Sequence, residues 1–583
     1  MTALSDARER LRCNARQWEA FNTTGHCLVT APPGSGKSEL IGARLAQDFI
    51  DVIAEPHGAA CITYSNTAAA ELRRRLDSFG VQRRSNLFIG TVHGFALNQI
   101  IRPFAGLFGE KHLATAPIAN TAQRDALFEE ARQVVYPNEP DFGLRSTMDR
   151  RRRHLLVDDA DPMFGGERAA ELTRCYEDLL ATAGLIDFDE MVIRAVTLVK
   201  QHRVVRSVLA ARFPKLFIDE YQDLGPGLHA LVKSLCFDEM ANSTLFAVAD
   251  PDQCIYVFSG AAPELVDEIA ERSDVHHVRL RINYRSSDEI IRRSLALLPR
   301  RVDVEGRRKG GVVEAHQVEG KVSGQARACI PLLKQALKES KPEDLAVLCL
   351  SNADCATVGE ILQDAGISVF VRREDEYART VTTQFVEYAA AWATNPRGTS
   401  GVTLRMLLWQ WRQLLGVRWT RQHDISLVTV LLDSESASHS AAEFVRTITS
   451  LDLEAALAAD RTRVEEADSL ASVLHAVTDG SLSSLSAADL GERAFARNRV
   501  HVLTMHSSKG LEFDLVCLIG LESTRLPRFN AAQWERVQDR RKFYVALTRA
   551  RHEVHLFYTG WMINRFGNRY EHGPSEFVTR LGL

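Results

Sequence analysis

Several classes of protein are excluded by what this sequence lacks. Its ten cysteines include no C-x-x-C pair, so neither a thiolate zinc site nor a disulfide framework is indicated. That usage predicts a reducing compartment. No run approaches the ~18 consecutive apolar residues of a membrane-spanning helix, and the opening MTALSDARERLRCNARQ is charged without an apolar centre, which predicts no export signal. A soluble cytoplasmic protein with no membrane partner is expected. Net charge is also missing: 71 Lys and Arg stand against 75 Asp and Glu, a balance of −4. Nucleic acid could then be held only by local basic patches. Arg73–Arg75, Arg150–Arg153 and Arg307-Arg308-Lys309 are candidates, although each fits a solvated helix face equally well. No nuclease motif and no metal-ligand cluster is read from the order of residues.

What the chain does have is length. Its 583 residues, 45% of them hydrophobic, suffice for about four modules at ~150 residues each.

The stretch APPGSGKSEL, residues 31–40, has the composition of a phosphate-binding loop. Upstream, GHCLVT (25–30) is an apolar run suited to a buried strand; downstream, Leu40, Ile41, Leu45, Phe49 and Ile50 recur at helical spacing. Strand, glycine turn, helix is the setting that gives the loop its chemistry. Pro33, Gly34, Ser35 and Gly36 form the turn, and its backbone N–H groups face an anion at a helix N-terminus. Lys37 reaches the β- and γ-phosphates, and Ser38 ligates Mg²⁺. Ala31 takes the place of the first glycine of the general pattern, while Pro32 and Pro33 precede the amides that must wrap phosphate. The second half of such a site is an apolar strand ending in acid, and KLFIDEYQD (215–223) supplies it. Asp219 is the candidate Mg²⁺ ligand, and Glu220 the group that orients or deprotonates water.

Further motifs follow in order: NARQWEAF (14–21), ITYSNTAAAELRRRL (62–76), GTVHGFA (90–96), GLIDFDEMV (184–192), VADPDQCIYVFSGA (248–261), LRINYRSSDEI (280–290), VLTMHSSKGLEFD (502–514) and RRKFYVALTRAR (540–551). With the P-loop and DEYQD, this series resembles superfamily 1A DNA helicases of the UvrD/Rep/PcrA type. The resemblance implies an α/β fold of two RecA-like parallel-sheet lobes with mostly helical insertions. It places lobe 1A at 1–100 and 186–278, subdomain 1B at 101–185, lobe 2A at 279–395 and 496–583, and a short subdomain 2B at 396–495.

The same resemblance implies ATP and Mg²⁺ as cofactors, with Gln17 at the adenine edge and Tyr284 stacked on the base. Arg285 and Arg549 then touch the γ-phosphate, and Gln253, His506 and Glu512 join the nucleotide site to DNA. It assigns Tyr64, Asn66, Thr91, His93, Tyr256 and Phe258 to single-stranded DNA, where aromatic faces stack on bases. The implied activity is 3′→5′ movement on single strands or 3′-tailed duplex, in repair, recombination or defence. The partner is a repair protein or a nuclease. A different class fits as well: a DNA-gated ATPase switch regulating a nuclease, as in Gabija-like phage-defence pairs. Ser259 and Leu350 stand where the family carries arginines, which thins the expected grip on DNA.

Overall fold

Runs of four to six apolar residues, most of them ending in a polar or charged turn, become strands buried on both faces, as parallel sheets covered by helices require. The computed structural model describes residues 3–583 except 65, 82–85, 138, 142, 156–164, 239–242, 256–259, 300–301, 372–375, 378–379, 396–401, 434–438, 460–463, 495–497, 564–567 and 572. Tyr256, Phe258 and Ser259 thus lie outside the described residues. The chain divides into two units, Met1–Gly310 with Gln533–Tyr544, and Gly311–Ala532 with Val545–Leu583.

The first unit carries β1 (His26–Thr30), β2 (Ala59–Thr63), β3 (Leu87–Thr91), β4 (Lys215–Ile218), β5 (Thr244–Ala249) and β6 (Val275–Arg279). They form one parallel sheet in the order β3-β2-β4-β5-β1-β6. A parallel pair, β7 (Ile282–Ser287) and β8 (Glu305–Arg308), belongs to the same unit, so residues 279–310, allotted from sequence to the second lobe, pack with the first. The P-loop helix runs Lys37–Gln47 and then changes to an i→i+5 turn at Asp48–Val52, closed by Ile53 N–H to the Asp48 carbonyl at 2.8 Å. The changed period explains one misplaced residue: Leu40, Ile41, Leu45 and Phe49 are buried as their spacing predicts, but Ile50 is 49% exposed.

The second unit repeats the plan. Its strands β9 (Val312–Gln317), β10 (Leu345–Cys349), β11 (Val369–Val371), β12 (Val500–Thr504), β13 (Phe513–Leu518) and β14 (Ala550–Tyr558) are all parallel, in the order β11-β12-β10-β13-β14-β9. The chain is therefore an α/β protein with two parallel-sheet lobes of the RecA-like kind.

Both lobes carry helical blocks with cores of their own. Phe128, Met148, Leu172 and Tyr176 centre one block in the first unit. In the second unit, Leu407, Trp411, Leu414 and Leu415 put the apolar stripe of helix Leu404–Leu415 into another. Helix Val381–Thr394 adds Phe385, Val386 and Trp392 to that core.

The run Arg150–Arg153 is not a solvated face. Arg151 and Arg152 are fully buried. Arg152 grips Asp187 through both terminal nitrogens at 2.6 and 2.9 Å, and meets Glu177 at 3.0 Å and Glu190 at 3.3 Å. Asp187 also accepts the Tyr176 hydroxyl at 3.0 Å and caps helix Phe188–Gln201 by accepting the Glu190 N–H at 2.8 Å. The acids of GLIDFDEMV thus clamp the helical block to the helix by which the chain re-enters the sheet. Arg307, Arg308 and Lys309, by contrast, are exposed. Among the described residues no helix is long and apolar enough to cross a membrane.

Candidate active site

The sheet order determines which loops meet. Since β5 lies between β1 and β4, the turns at their C-terminal ends fall side by side, the edge where parallel α/β sheets bind ligands. After β1, Gly34 and Gly36 adopt φ of +68° and +81°, a region glycine enters without strain. Space demands glycine as well. A methyl group at Gly34 would lie 2.5 Å from Arg285 Cβ and 2.6 Å from Asn283 Oδ1, and one at Gly36 would lie 2.8 Å from Gln17 Nε2. Ser35 Oγ donates to the Pro32 carbonyl at 2.7 Å, and Gln17 Nε2 donates to the Ser35 carbonyl at 2.8 Å. Pro32 therefore contributes its carbonyl to the turn. Ser38 is exposed on the first turn of the helix.

Lys37 is 8% exposed; its ammonium donates to the Ala31 carbonyl at 3.0 Å and lies 3.5 Å from Asp250 Oδ2. Asp250 directly follows β5. Its other carboxylate contacts include the Gln253 side-chain amide and the Asp252 N–H, and its own N–H donates to Gln222 Oε1 at 2.8 Å. Gln222 Nε2 donates to Glu220 at 2.5 Å. A continuous polar chain thus runs from Lys37 through Asp250 to Gln253, and through Gln222 to Glu220.

After β4, Asp219 donates its N–H to the Ile62 carbonyl at 3.0 Å. The residue keeps some contact with solvent, but its Oδ1 is buried without a hydrogen-bond partner. Burial first, and the adjoining Glu220 second, push its carboxyl up to about 7, against the pull of Lys37. An orphaned carboxylate oxygen held high by lost hydration and a neighbouring acid suits a cation, which would satisfy it. Glu220 sits at φ +56° and opens the short turn Tyr221–Asp223.

The segment after β6 closes over the loop. Tyr284 N–H donates to the Gly34 carbonyl at 2.8 Å, and Asn14 Nδ2 donates to the Tyr284 hydroxyl at 3.1 Å. The Tyr284 ring remains 38% exposed. Asn283, buried beneath it, accepts the N–H groups of Arg285 and Ser286 at 2.8 and 2.9 Å, fixing the turn that presents Arg285. Gln17, Lys37, Asp219, Glu220, Gln253, Tyr284 and Arg285 all converge on this edge. Four residues assigned no role from the sequence belong to it too: Asn14, Gln222, Asp250 and Asn283. The signal for Asp250 was an acid at the end of an apolar run; which strand neighbours β1 could not be known.

Farther along the same sheet a second group follows β2 and β3, whose ends are in register at Thr63 and Thr91. Tyr64 is 39% exposed just past β2, where the helix beginning at Asn66 starts. Thr91 Oγ1 accepts the Gly94 N–H at 3.3 Å, capping the turn that holds His93. The His93 ring packs edge-on to Phe188 at 5.2 Å, and burial lowers its pKa, with Asp189 raising it and Arg153 lowering it. Arg153 bonds Asp189 at 3.0 Å.

In the second lobe Arg549 is 2% exposed. Its Nε donates to the Val545 carbonyl at 3.0 Å and its Nη1 to the Leu511 carbonyl at 3.4 Å. It thereby braces the loop carrying Glu512 between β12 and β13. Glu512 lies 3.7 Å from Arg551, which also pairs with Asp514 at 3.0 Å and Asp344 at 3.2 Å. His506 sits in the turn after β12, its carbonyl accepting the Lys509 N–H at 3.1 Å.

Comparison with known proteins agrees with this geometry. Residues 13–274 match the UvrD/REP helicase N-terminal domain, and residues 420–560 match the UvrD-like helicase C-terminal domain. The chain is 25% identical to the ATP-dependent DNA helicase Rep of Escherichia coli (strain K12), over 98% of this chain and 94% of that protein. It is 26% identical to the ATP-dependent DNA helicase UvrD2 of Mycobacterium tuberculosis (strain ATCC 25618 / H37Rv), over 96% of this chain and 79% of the relative. To DNA helicase II of Escherichia coli (strain K12) it is 24% identical, covering 97% and 87%. With its P-loop, its strand-end acids and both halves of the family pattern in place, the chain belongs to the UvrD/Rep family of helicases.

Proposed function

We propose that this protein is an ATP-dependent motor that moves 3′→5′ along single-stranded DNA and separates 3′-tailed duplex. The observation that carries the reading is the convergence of Lys37, Asp219, Glu220, Asp250 and the Asn283–Arg285 turn on one sheet edge, with a second group holding Tyr64, Thr91 and His93 farther along it.

In this reading the glycine turn wraps the phosphates of ATP and Lys37 leaves Asp250 to pair with them. Ser38 and Asp219 hold Mg²⁺, which when bound neutralises phosphate charge. Gln17 reads the adenine edge and Tyr284 stacks on the ring; Pro33 and Ser35 complete the cradle. Glu220 takes up the proton of the attacking water, or orients that water. Arg285 and Arg549 stabilise charge on the transferred phosphoryl group. Gln253 bonds the carboxylate that Lys37 must release, so it is placed to report the nucleotide state toward the DNA groups, with Glu512 and His506 doing so from the second lobe. Tyr64, Asn66, Thr91, His93, Tyr256 and Phe258 form the single-strand track. The subdomains 1A, 1B, 2A and 2B supply the two lobes and their insertions.

The test is displacement of a protein block from either end of a single strand, with unwinding of duplexes bearing a 3′ tail, a 5′ tail or none. ATP-dependent clearance of the 5′ end and a requirement for a 3′ tail are expected. DNA-stimulated ATP hydrolysis without displacement at either end would replace the motor with a DNA-gated switch acting on a partner.

A further inference from the structure

Nothing in the order of residues reads as a metal site, yet pairing of β14 with β9 brings three possible donor side chains together in the second lobe. The two strands are parallel and in register at His555↔Glu314 and Phe557↔His316. Side chains on a strand alternate between faces, so Glu314, His316 and His555 share a face, with Glu553 two residues before His555. His316 Nε2 lies 3.0 Å from His555 Nδ1. Glu314 Oε2 is 3.8 Å from the first and 3.7 Å from the second. Zinc takes imidazole nitrogen at about 2.0–2.1 Å and carboxylate oxygen at about 2.0–2.2 Å, which sets tetrahedral ligand atoms about 3.3–3.5 Å apart. The three donor atoms stand close to that triangle already.

We propose that Glu314, His316 and His555 bind one divalent ion of the zinc class, pinning edge strand β9 to β14. The donor set, two imidazoles and one carboxylate, selects zinc, cobalt or nickel over magnesium and calcium, which prefer oxygen alone. The surroundings supply what such a site needs. Glu553 Oε2 lies 3.5 Å from His555 Nε2, the nitrogen left over after ligation, and a carboxylate there orients a ligating histidine and strengthens it. Phe557 stacks on the His316 ring at 4.8 Å, holding its plane. His555 is buried whereas Glu314 is exposed, so the ion has an entry path and a fourth position open to water. The ordinary alternative is a plain hydrogen bond between two neutral imidazoles, one donating N–H to the other.

Titration of Co²⁺ alone into the nucleotide-free, chelator-treated full chain separates the two readings. One equivalent should give the visible spectrum of tetrahedral cobalt, bleached by Zn²⁺ and not by excess Mg²⁺. His316→Gln should weaken cobalt binding at least tenfold while DNA-stimulated ATP hydrolysis in Mg²⁺ stays near wild type. Glu314→Ala, at an exposed position, should weaken it as well. Zn²⁺ should raise the melting temperature of the wild type and leave His316→Gln unmoved. Absence of a tetrahedral spectrum, or the same spectrum and affinity in both variants, would overturn the proposal and leave the hydrogen-bonded pair.

Discussion

Lys37 Nζ is 3.5 Å from Asp250 Oδ2, and the lysine comes from the helix after β1 while the aspartate directly follows β5. The pair is almost wholly shielded from water. The Asp250 carboxylate and the Ala31 carbonyl compensate the ammonium. In the proposed mechanism, charge exchange at this lysine would couple nucleotide arrival to Asp250 and to the Gln253 and Gln222 amides bonded to it.

Replacing Lys37 with alanine should abolish ATP hydrolysis while leaving the fold intact. The lost ammonium leaves β- and γ-phosphate charge uncompensated. Turnover above about a tenth of wild type would refute the assignment, since a tenfold fall corresponds to only ~1.4 kcal/mol of barrier. Circular dichroism of the variant establishes that folding is kept.

Glu220→Gln should separate binding from turnover. The amide preserves shape and still accepts the Gln222 N–H, but it cannot take a proton, so hydrolysis should fall by roughly 10²-fold or more. Nucleotide affinity, measured with a fluorescent analogue, should persist. Its loss together with turnover would make Glu220 a structural residue of the turn at φ +56°.

How much of this site was legible in the sequence depends on the range of each interaction. The P-loop and the DE pair each sit within one strand–turn–helix unit, and local composition reveals them. Asp250 and Asn283 act through neighbours that the sheet order brings close, over 200 residues along the chain from Lys37 and Gly34. The histidine pair joins β9 to β14 across 239 residues, and no local spacing announces it. Arg152 was misleading for the opposite reason: a four-arginine run has the composition of a solvated face, and only Asp187, Glu177 and Glu190 around it make burial possible.

That buried cluster predicts a pH effect on stability. Burial chiefly raises the Glu177 carboxyl from 4.5 to about 7, although Arg152 opposes it. The folded chain then holds this proton more tightly than the unfolded one, so the contribution is full below about 4.5 and fades as pH rises to about 7. Glu177→Gln lacks that loss. Urea unfolding of both proteins at about pH 5 and pH 8 should show the variant gaining on wild type at the higher pH. A stability difference that stays constant between the two would show that Glu177 titrates normally.

Tyr64→Ala should weaken single-strand affinity by ~1–3 kcal/mol, the usual worth of a base-stacking aromatic. Its 39% exposure means that little core packing is lost, so melting temperature and DNA-free ATP hydrolysis should hardly change. Phe258→Ala should act in the same direction. Unaltered affinity in fluorescence anisotropy would remove the residue concerned from the DNA track.

The last expectation concerns force. The family resemblance expects cations where Ser259 and Leu350 stand, and each missing phosphate contact would lower affinity and flatten its salt dependence. If the second lobe holds DNA at this corner, Arg525 is the cation beside Leu350 to test. A methyl group placed on Gly520 would meet Arg525 Nη1 at 3.0 Å and Leu350 Cδ1 at 3.3 Å, so a guanidinium stands beside the leucine, held by Asp354 at 2.7 Å. Melting each base-pair step costs on average ~1.4 kcal/mol, and a motor with a reduced hold slips before supplying it repeatedly. Stepping along a single strand should therefore be robust and unwinding of long 3′-tailed duplexes weak, with a partner protein raising it. Arg525→Ala should weaken single-strand binding further and shift the slope of log affinity against log salt by about 0.7, the effect of one phosphate contact on single strands. Processive unwinding of hundreds of base pairs by the protein alone, or a slope unchanged in Arg525→Ala, would show that the hold on DNA does not depend on this corner of the lobe.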